Sequence, residues 1–127
     1  MHVRTATERD VPAVMNVLDG ALLAVTPDAV REGTALVAVD EGRVLGALVL
    51  AGEEIEAVAV RRSRRDQGVG TALVEAAAAR RERLVAGFDP DVRAFYESLG
   101  FQIRDAAAPD RLRGVRAAGD EQAARDR

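Results

Sequence analysis

The stretch RRSRRDQGVGTALVEAAA, residues 61–78, decides the fold. Four arginines and the bare backbone of Gly68 and Gly70 stand directly ahead of an alanine-rich run. That run is a helix by propensity, expected from Gly70 to about Arg83. Leu73, Val74 and Ala77 form its apolar stripe, and Arg80, Arg81 and Arg83 lie near its negative end. Just upstream, IEAVAV (55–60) is rich in β-branched residues and reads as a strand. A strand that ends in a glycine turn and opens a helix aims unpaired N–H groups, and the positive helix end, at whatever sits in the turn. Such a turn is an anion site, a nest of N–H groups that a side chain at position 68 or 70 would obstruct. The same glycines would also serve a plain tight turn flanked by solvated arginines.

Outward from this turn, the upstream chain changes period twice. HVRTAT (2–7) alternates as a strand. A helix start follows, with Thr7 or Asp10 as N-cap, Pro12 in the first turn, and Val11, Val14, Met15, Leu18 and Leu22 at helical spacing. TPDAVREG (26–33) reads as one short helix or turn ending at Gly33. Apolar runs at 35–39 and 44–50 flank Asp40-Glu41-Gly42, a hairpin signal, and a second break at Ala51-Gly52 leads into the strand at 55–60. Downstream, RLVAGF (83–88) suits a strand. Asp89-Pro90-Asp91 caps a helix through about Leu99, with Gly100 as its stop. FQIRD (101–105) and LRGVRA (112–117) are the last strands, and the tail 117–127 has no apolar face and is expected to be frayed or disordered.

Composition bounds the function. The 127 residues support one domain, placed at 1–116. With no cysteine there is no thiolate nucleophile, and the lone His2 has no ligand partners in sequence, so no metal is expected. A net charge of −3, no tryptophan and one tyrosine argue against a nucleic-acid partner, although all 18 basic residues are arginine and the local positive charge lies around 61–65 and 80–83. No apolar run approaches the roughly 18 residues of a membrane span, and no leader-like start is evident, so the expectation is a cytoplasmic protein without a membrane partner.

VRRSRRDQGVG (60–70), with Arg-x-x-Gly-x-Gly after an apolar strand end, resembles the acyl-CoA pyrophosphate loop of the GNAT superfamily of N-acetyltransferases. DPDVRAFYESLGF (89–101) is similar to that superfamily's later aromatic-Tyr-x-x-x-Gly-Phe segment. The resemblance spans roughly residues 2–116. It implies an α/β (α+β) fold, a mixed, mostly antiparallel sheet flanked by helices with a V-shaped strand splay. It also implies direct acetyl transfer from acetyl-CoA to a small amine, or to a peptide or protein amine, in a ternary complex. The other reading is a non-catalytic acyl-CoA-binding or regulatory module. The identity of the acceptor stays open, as does the oligomeric state; a homodimer would cover the short edge strands.

Under the resemblance, Arg65, Asp66, Gln67, Gly68, Val69, Gly70 and Thr71 hold the pyrophosphate, mostly through main chain, and Arg61, Arg62 and Arg64 face the 3′-phosphate or solvent. Val58, Ala59 and Val60 present backbone to the pantetheine arm. Asp89 stands where relatives often place an asparagine toward that arm, and Arg62 stands where a proline is common. A carboxylate cannot donate as that amide does. Tyr96, the only tyrosine, corresponds to the phenol that protonates the departing thiolate. Glu56 and then Glu54 are the candidate bases, since an extended strand places both on the face of Val58; water is the third possibility.

Overall fold

The first hairpin turns at Glu41 and Gly42, with φ of 50° and 76°. This is the left-handed pair that a two-residue type I′ turn demands, and it closes the Asp40–Arg43 pair between two β-branched runs. Gly52, φ 60°, turns the next hairpin. The computed structural model describes residues 1–20, 25–105 and 110–117. Leu22 and all of the expected tail but Ala117 lie outside them.

Seven strands form one sheet: β1 (His2–Thr5), β2 (Thr34–Asp40), β3 (Arg43–Ala51), β4 (Glu54–Val60), β5 (Arg83–Phe88), β6 (Gln102–Asp105) and β7 (Leu112–Ala117). Their order is β1-β2-β3-β4-β5-β7-β6, antiparallel throughout except for β4 beside β5. The helices are α1 (Val11–Gly20), α2 (Pro27–Glu32), α3 (Val69–Arg80) and α4 (Arg93–Ser98). The mixed, mostly antiparallel sheet expected from the resemblance is therefore present, with helices on both faces.

Strand alternation distributes the core between those faces. Leu36, Leu48, Leu50 and Leu84 join Leu73 and Val74 of α3 and Tyr96 of α4 in one cluster. Val37, Val49, Ala57 and Ala59 join Val14 and Leu18 of α1 and Val30 of α2 in the other. Within α1, Val17 is buried and Met15 only partly so, which narrows the expected stripe. At the entry to α1, Arg4 donates to both carboxylate oxygens of Asp10, at 2.7 and 3.1 Å, and Thr7 N–H donates to Asp10 Oδ2 at 2.7 Å. These bonds, with Arg4 the larger influence, hold the Asp10 carboxyl well below the usual range.

Two features place the site. At Gly46 a Cβ would stand 2.9 Å from the Ala59 carbonyl oxygen, 3.1 Å from Val69 Cγ1 and 3.2 Å from Leu73 Cδ1. The absence of that carbon lets the first turn of α3 seat directly on β3 beside β4. The second feature is a bulge in β4. Leu50 pairs with Ile55 and Val49 with Ala57, which leaves Glu56 as the extra residue.

The bulge shifts the parity of the strand. Ile55 now packs in the α3-side cluster with Val58 and Val60, while Ala57 and Ala59 face α1. The expectation that Glu54 and Glu56 share the face of Val58 therefore fails, because an inserted residue moves everything before it to the opposite face.

Smaller differences are local. β1 stops at Thr5, and α3 spans Val69–Arg80 where Gly70 to Arg83 was expected. The helix expected from Asp89 to Leu99 is a 3₁₀ turn over Pro90–Val92 followed by α4. Asp89 caps that turn, accepting from Asp91 N–H at 2.9 Å.

Candidate active site

β4 and β5 pair at only two places, Glu54 with Val85 and Ile55 with Ala86. Beyond them the strands separate. β5 is held on its other side by β7 over the whole of Arg83–Phe88, while β4 stays paired to β3 through Val60. Parallel neighbours anchored to different partners open into a V, and the gap exposes backbone groups along 57–60. A cleft of about 790 Å³ occupies the gap.

One end of the cleft is the start of α3. Gly68 is the N-cap residue with φ 82°, and with no side chain it supplies no capping bond. The first intrahelical bond runs from Ala72 N–H to the Gly68 carbonyl at 3.0 Å, so the N–H groups of Val69, Gly70 and Thr71 precede the ladder and point into the turn. Asp66 also has a left-handed φ, 64°, and the alternation of backbone hands around the glycine gathers N–H groups on one side. A Cβ on Gly68 would stand in open space, where a ligand has room. A Cβ on Gly70 would meet the Phe95 ring at 3.5 Å, so the space beside Gly70 belongs to α4, not to an anion.

The basic run divides by role. Arg64 and Arg65 line the cleft. Arg64 lies 3.8 Å from Asp40, and Arg65 Nε donates to the Val60 carbonyl at 3.4 Å. Arg61 turns away from the loop and ties β4 to β3 and α1 through the Val44 carbonyl at 2.7 Å and Asn16 Oδ1 at 3.1 Å. These bonds make it a brace between those elements, and it does not line the cleft. Arg62 is exposed and does not line the cleft.

The closed end of the V lies just past the last strand pair. Glu56, the bulge residue, and Gly87, which follows Ala86, are the first residues beyond it, and both line the cleft. Tyr96 lines the same cleft. Its ring stacks on Phe88 with centroids 4.3 Å apart and takes edge contacts from Phe95 and Phe101 at 5.1 and 5.2 Å. Burial raises the pKa of its phenol above the ordinary 10, and the charge of Arg111 partly opposes that rise. The phenol therefore keeps its proton at neutral pH and can donate it.

Of the residues singled out in the sequence, Glu56, Val58, Ala59, Val60, Arg65, Asp66, Gly68, Val69, Gly70, Thr71, Asp89 and Tyr96 line one cleft. Val69 offers only its backbone, since its side chain is buried on β3. Glu54 and Gln67 are not brought in. Glu54 lies below the fork, paired with Val85, and Gln67 turns its amide back to the Ser63 carbonyl at 3.4 Å. Phe88, Phe95, Gly87 and Arg111 line the cleft but carried no signal for it in the sequence.

A family model described as an acetyltransferase (GNAT) domain matches residues 31–103, more than half of the chain. No curated protein matches. Among solved structures, a Mycobacterium tuberculosis protein crystallised in complex with CoA is 19% identical with a TM-score of 0.75, covering 92% of this chain and 99% of that one. An Elizabethkingia anophelis GNAT family acetyltransferase with acetyl-CoA bound is 17% identical with a TM-score of 0.73, covering 91% and 96%. A ribosomal-protein-alanine N-acetyltransferase from Brucella melitensis is 22% identical with a TM-score of 0.70, covering 92% and 99%. These likenesses show a shared fold. With more than half of its length matched by the family model, the chain belongs to the GNAT acetyltransferase family.

Proposed function

We propose that the chain is an acetyl-CoA-dependent N-acetyltransferase acting on a primary amine by direct transfer. The observation that carries this reading is the fork between β4 and β5. Its cleft is lined both by the open first turn of α3 and by the buried phenol of Tyr96, so groups suited to an anion and to proton donation face one slot. Acetyl-CoA supplies the activated acyl group. The two related structures with CoA or acetyl-CoA bound support it as the donor.

In this reading the N–H groups of Gly68–Thr71, with Arg65, take the pyrophosphate, and the open backbone of 58–60 takes the amide-rich arm. Glu56, or water beside it, accepts the proton of the attacking amine. As the amine nitrogen bonds to the acyl carbon and the carbon–sulfur bond breaks, Tyr96 gives its proton to the thiolate. Excluding water from the apolar walls of Phe88, Phe95 and Val58 strengthens each of these interactions. No cysteine is available to carry an acyl group, which suits direct transfer.

The test is acetyl-CoA turnover, read by thiol release, against small amines, amino acids and peptide N-termini. Amine-dependent release above the hydrolysis background supports the enzyme. Tight acetyl-CoA binding with no release on any amine replaces the reading by a binding module.

A further inference from the structure

Arg111 is a charge in the cleft that the transfer chemistry does not use. Arg111 precedes β7, is exposed, and lines the cleft. Its Nη2 lies 3.7 Å from the point where a Cβ on Gly87 would stand. That point fixes the side of the sheet. Leu84, Ala86 and Phe88 of β5 pack in the α3-side cluster, so Gly87 faces the opposite side, toward α1 and α2. Arg111 thus approaches the fork from the face opposite the anion-binding turn. Among the described residues it forms no ion pair, and no carboxylate lies within 4.0 Å of it.

Glu56 and Gly87 flank the fork where the strands part, so a carboxylate and a guanidinium stand at the same end of the cleft without neutralising one another. A donor held by the α3 turn has its phosphates at the other end. A second anion on the α1-side face is therefore not required by the donor, which leaves Arg111, without an ion pair among the described residues, for the acceptor.

We propose that Arg111 binds the carboxylate of a zwitterionic acceptor, so that the amine acetylated is the α-amine of a free amino acid or a close analogue, its nitrogen beside Glu56 and its carboxylate on Arg111. The proposal rests on the acetyltransferase reading above. It accounts for two opposite, unpaired charges at one end of the cleft, and guanidinium suits a carboxylate because its two parallel N–H groups match the two oxygens. Polyamines and lysine side chains offer no carboxylate at that spacing and meet Arg111 as a repelling charge.

The experiment compares L-amino acids with their primary amides, using spermidine and a lysine-containing peptide as cationic controls. Thiol release from acetyl-CoA is measured for the full chain and for Arg111→Ala. In the parent, kcat/KM for at least one amino acid exceeds that for its amide by about 100-fold, the scale of one charge-assisted pair. In Arg111→Ala that ratio falls to within about threefold, while the KM for acetyl-CoA is unchanged. Arg111 also acts on Tyr96, but a loss of that influence slows acid and amide alike and leaves their ratio intact. A parent that uses amides as well as acids, or an Arg111→Ala that keeps the ratio, overturns the proposal. If the parent acetylates no amine, the acetyltransferase reading fails separately, and the subsite is read by binding. Calorimetric titration of amino acid into the CoA-saturated chain then shows Arg111-dependent uptake, which sustains the subsite, or none, which removes it.

Discussion

Replacing Gly68 and Gly70 separately by alanine perturbs two glycines of one motif in opposite directions. At Gly68, φ is 82° and a Cβ would touch nothing within 4 Å, so the cost is backbone strain without a clash. For an L-residue in the left-handed region that strain is about 1–2 kcal/mol, or a melting point lower by roughly 3–10 °C in a domain of this size. The same strain pulls the N–H groups of Val69 and Gly70 off their common focus. Losing one charge-assisted hydrogen bond to a phosphate corresponds to about a 10- to 100-fold weaker CoA affinity. At Gly70 the added carbon would rest 3.5 and 3.6 Å from two Phe95 ring atoms and 3.8 Å from Val60 Cγ2, which is ordinary contact. Alanine also gains up to about 1 kcal/mol of helix propensity over glycine, so Gly70→Ala melts at or above the parent and keeps its N–H donor. Thermal melts and calorimetric CoA titrations on the three proteins decide the matter. Parent-like affinity in a strained but folded Gly68→Ala would mean that the turn holds no phosphate. A Gly70→Ala that unfolds would mean that α4 sits closer to α3 than the structure has it.

Gly46→Ala forces a carbon to 2.9 Å from the Ala59 backbone oxygen, where neither strand gives easily; an overpacking loss of about 1–3 kcal/mol is expected in denaturant titrations, with weaker CoA binding because α3 and β4 both move. Glu56→Gln lowers kcat/KM most at the acid end of the pH profile, where free amine is scarce, whereas Glu54→Gln, below the fork, leaves the profile unchanged; equal effects from both would return the base to solvent. Because the folded-state pKa of Asp10 is depressed, its stabilisation is full above the unfolded value near 3.9 and is lost as pH falls below it. Asp10→Asn therefore lowers stability at pH 7 and flattens its decline between about pH 5 and 2, as acid titration of the melting point shows.

Much of this was legible in sequence because it rests on local rules. The glycine after a basic strand end, the Asp40-Glu41-Gly42 hairpin and the Asp89 cap each depend on a few adjacent residues, and the strands and helices follow from their periods. What escaped depends on register or on distant chain. Nothing in EEIEAVAV marks Glu56 as a bulge; that follows from the register of β4 on β3, where Leu50 faces Ile55 and Val49 faces Ala57. In sequence Arg61 groups with Arg62 and Arg64 as a cation facing the 3′-phosphate or solvent, yet its partners, Val44 and Asn16, come from β3 and α1. Arg111 carries no motif at all. It reaches the fork because β7 runs antiparallel to β5 and returns the chain to Gly87.

The most direct measurement of the central claim is the rate of thiol release by Tyr96→Phe relative to the parent at saturating acetyl-CoA. The substitution keeps the ring that stacks on Phe88 and touches Phe95 and Phe101, so the fold and the cleft persist. Only the buried hydroxyl, with the proton it holds, is removed. If that proton goes to the departing thiolate, the rate falls by about 100-fold, the lower end of what a lost general acid costs, with CoA affinity unchanged. A rate within about twofold of the parent would contradict the account and take Tyr96 out of the chemistry.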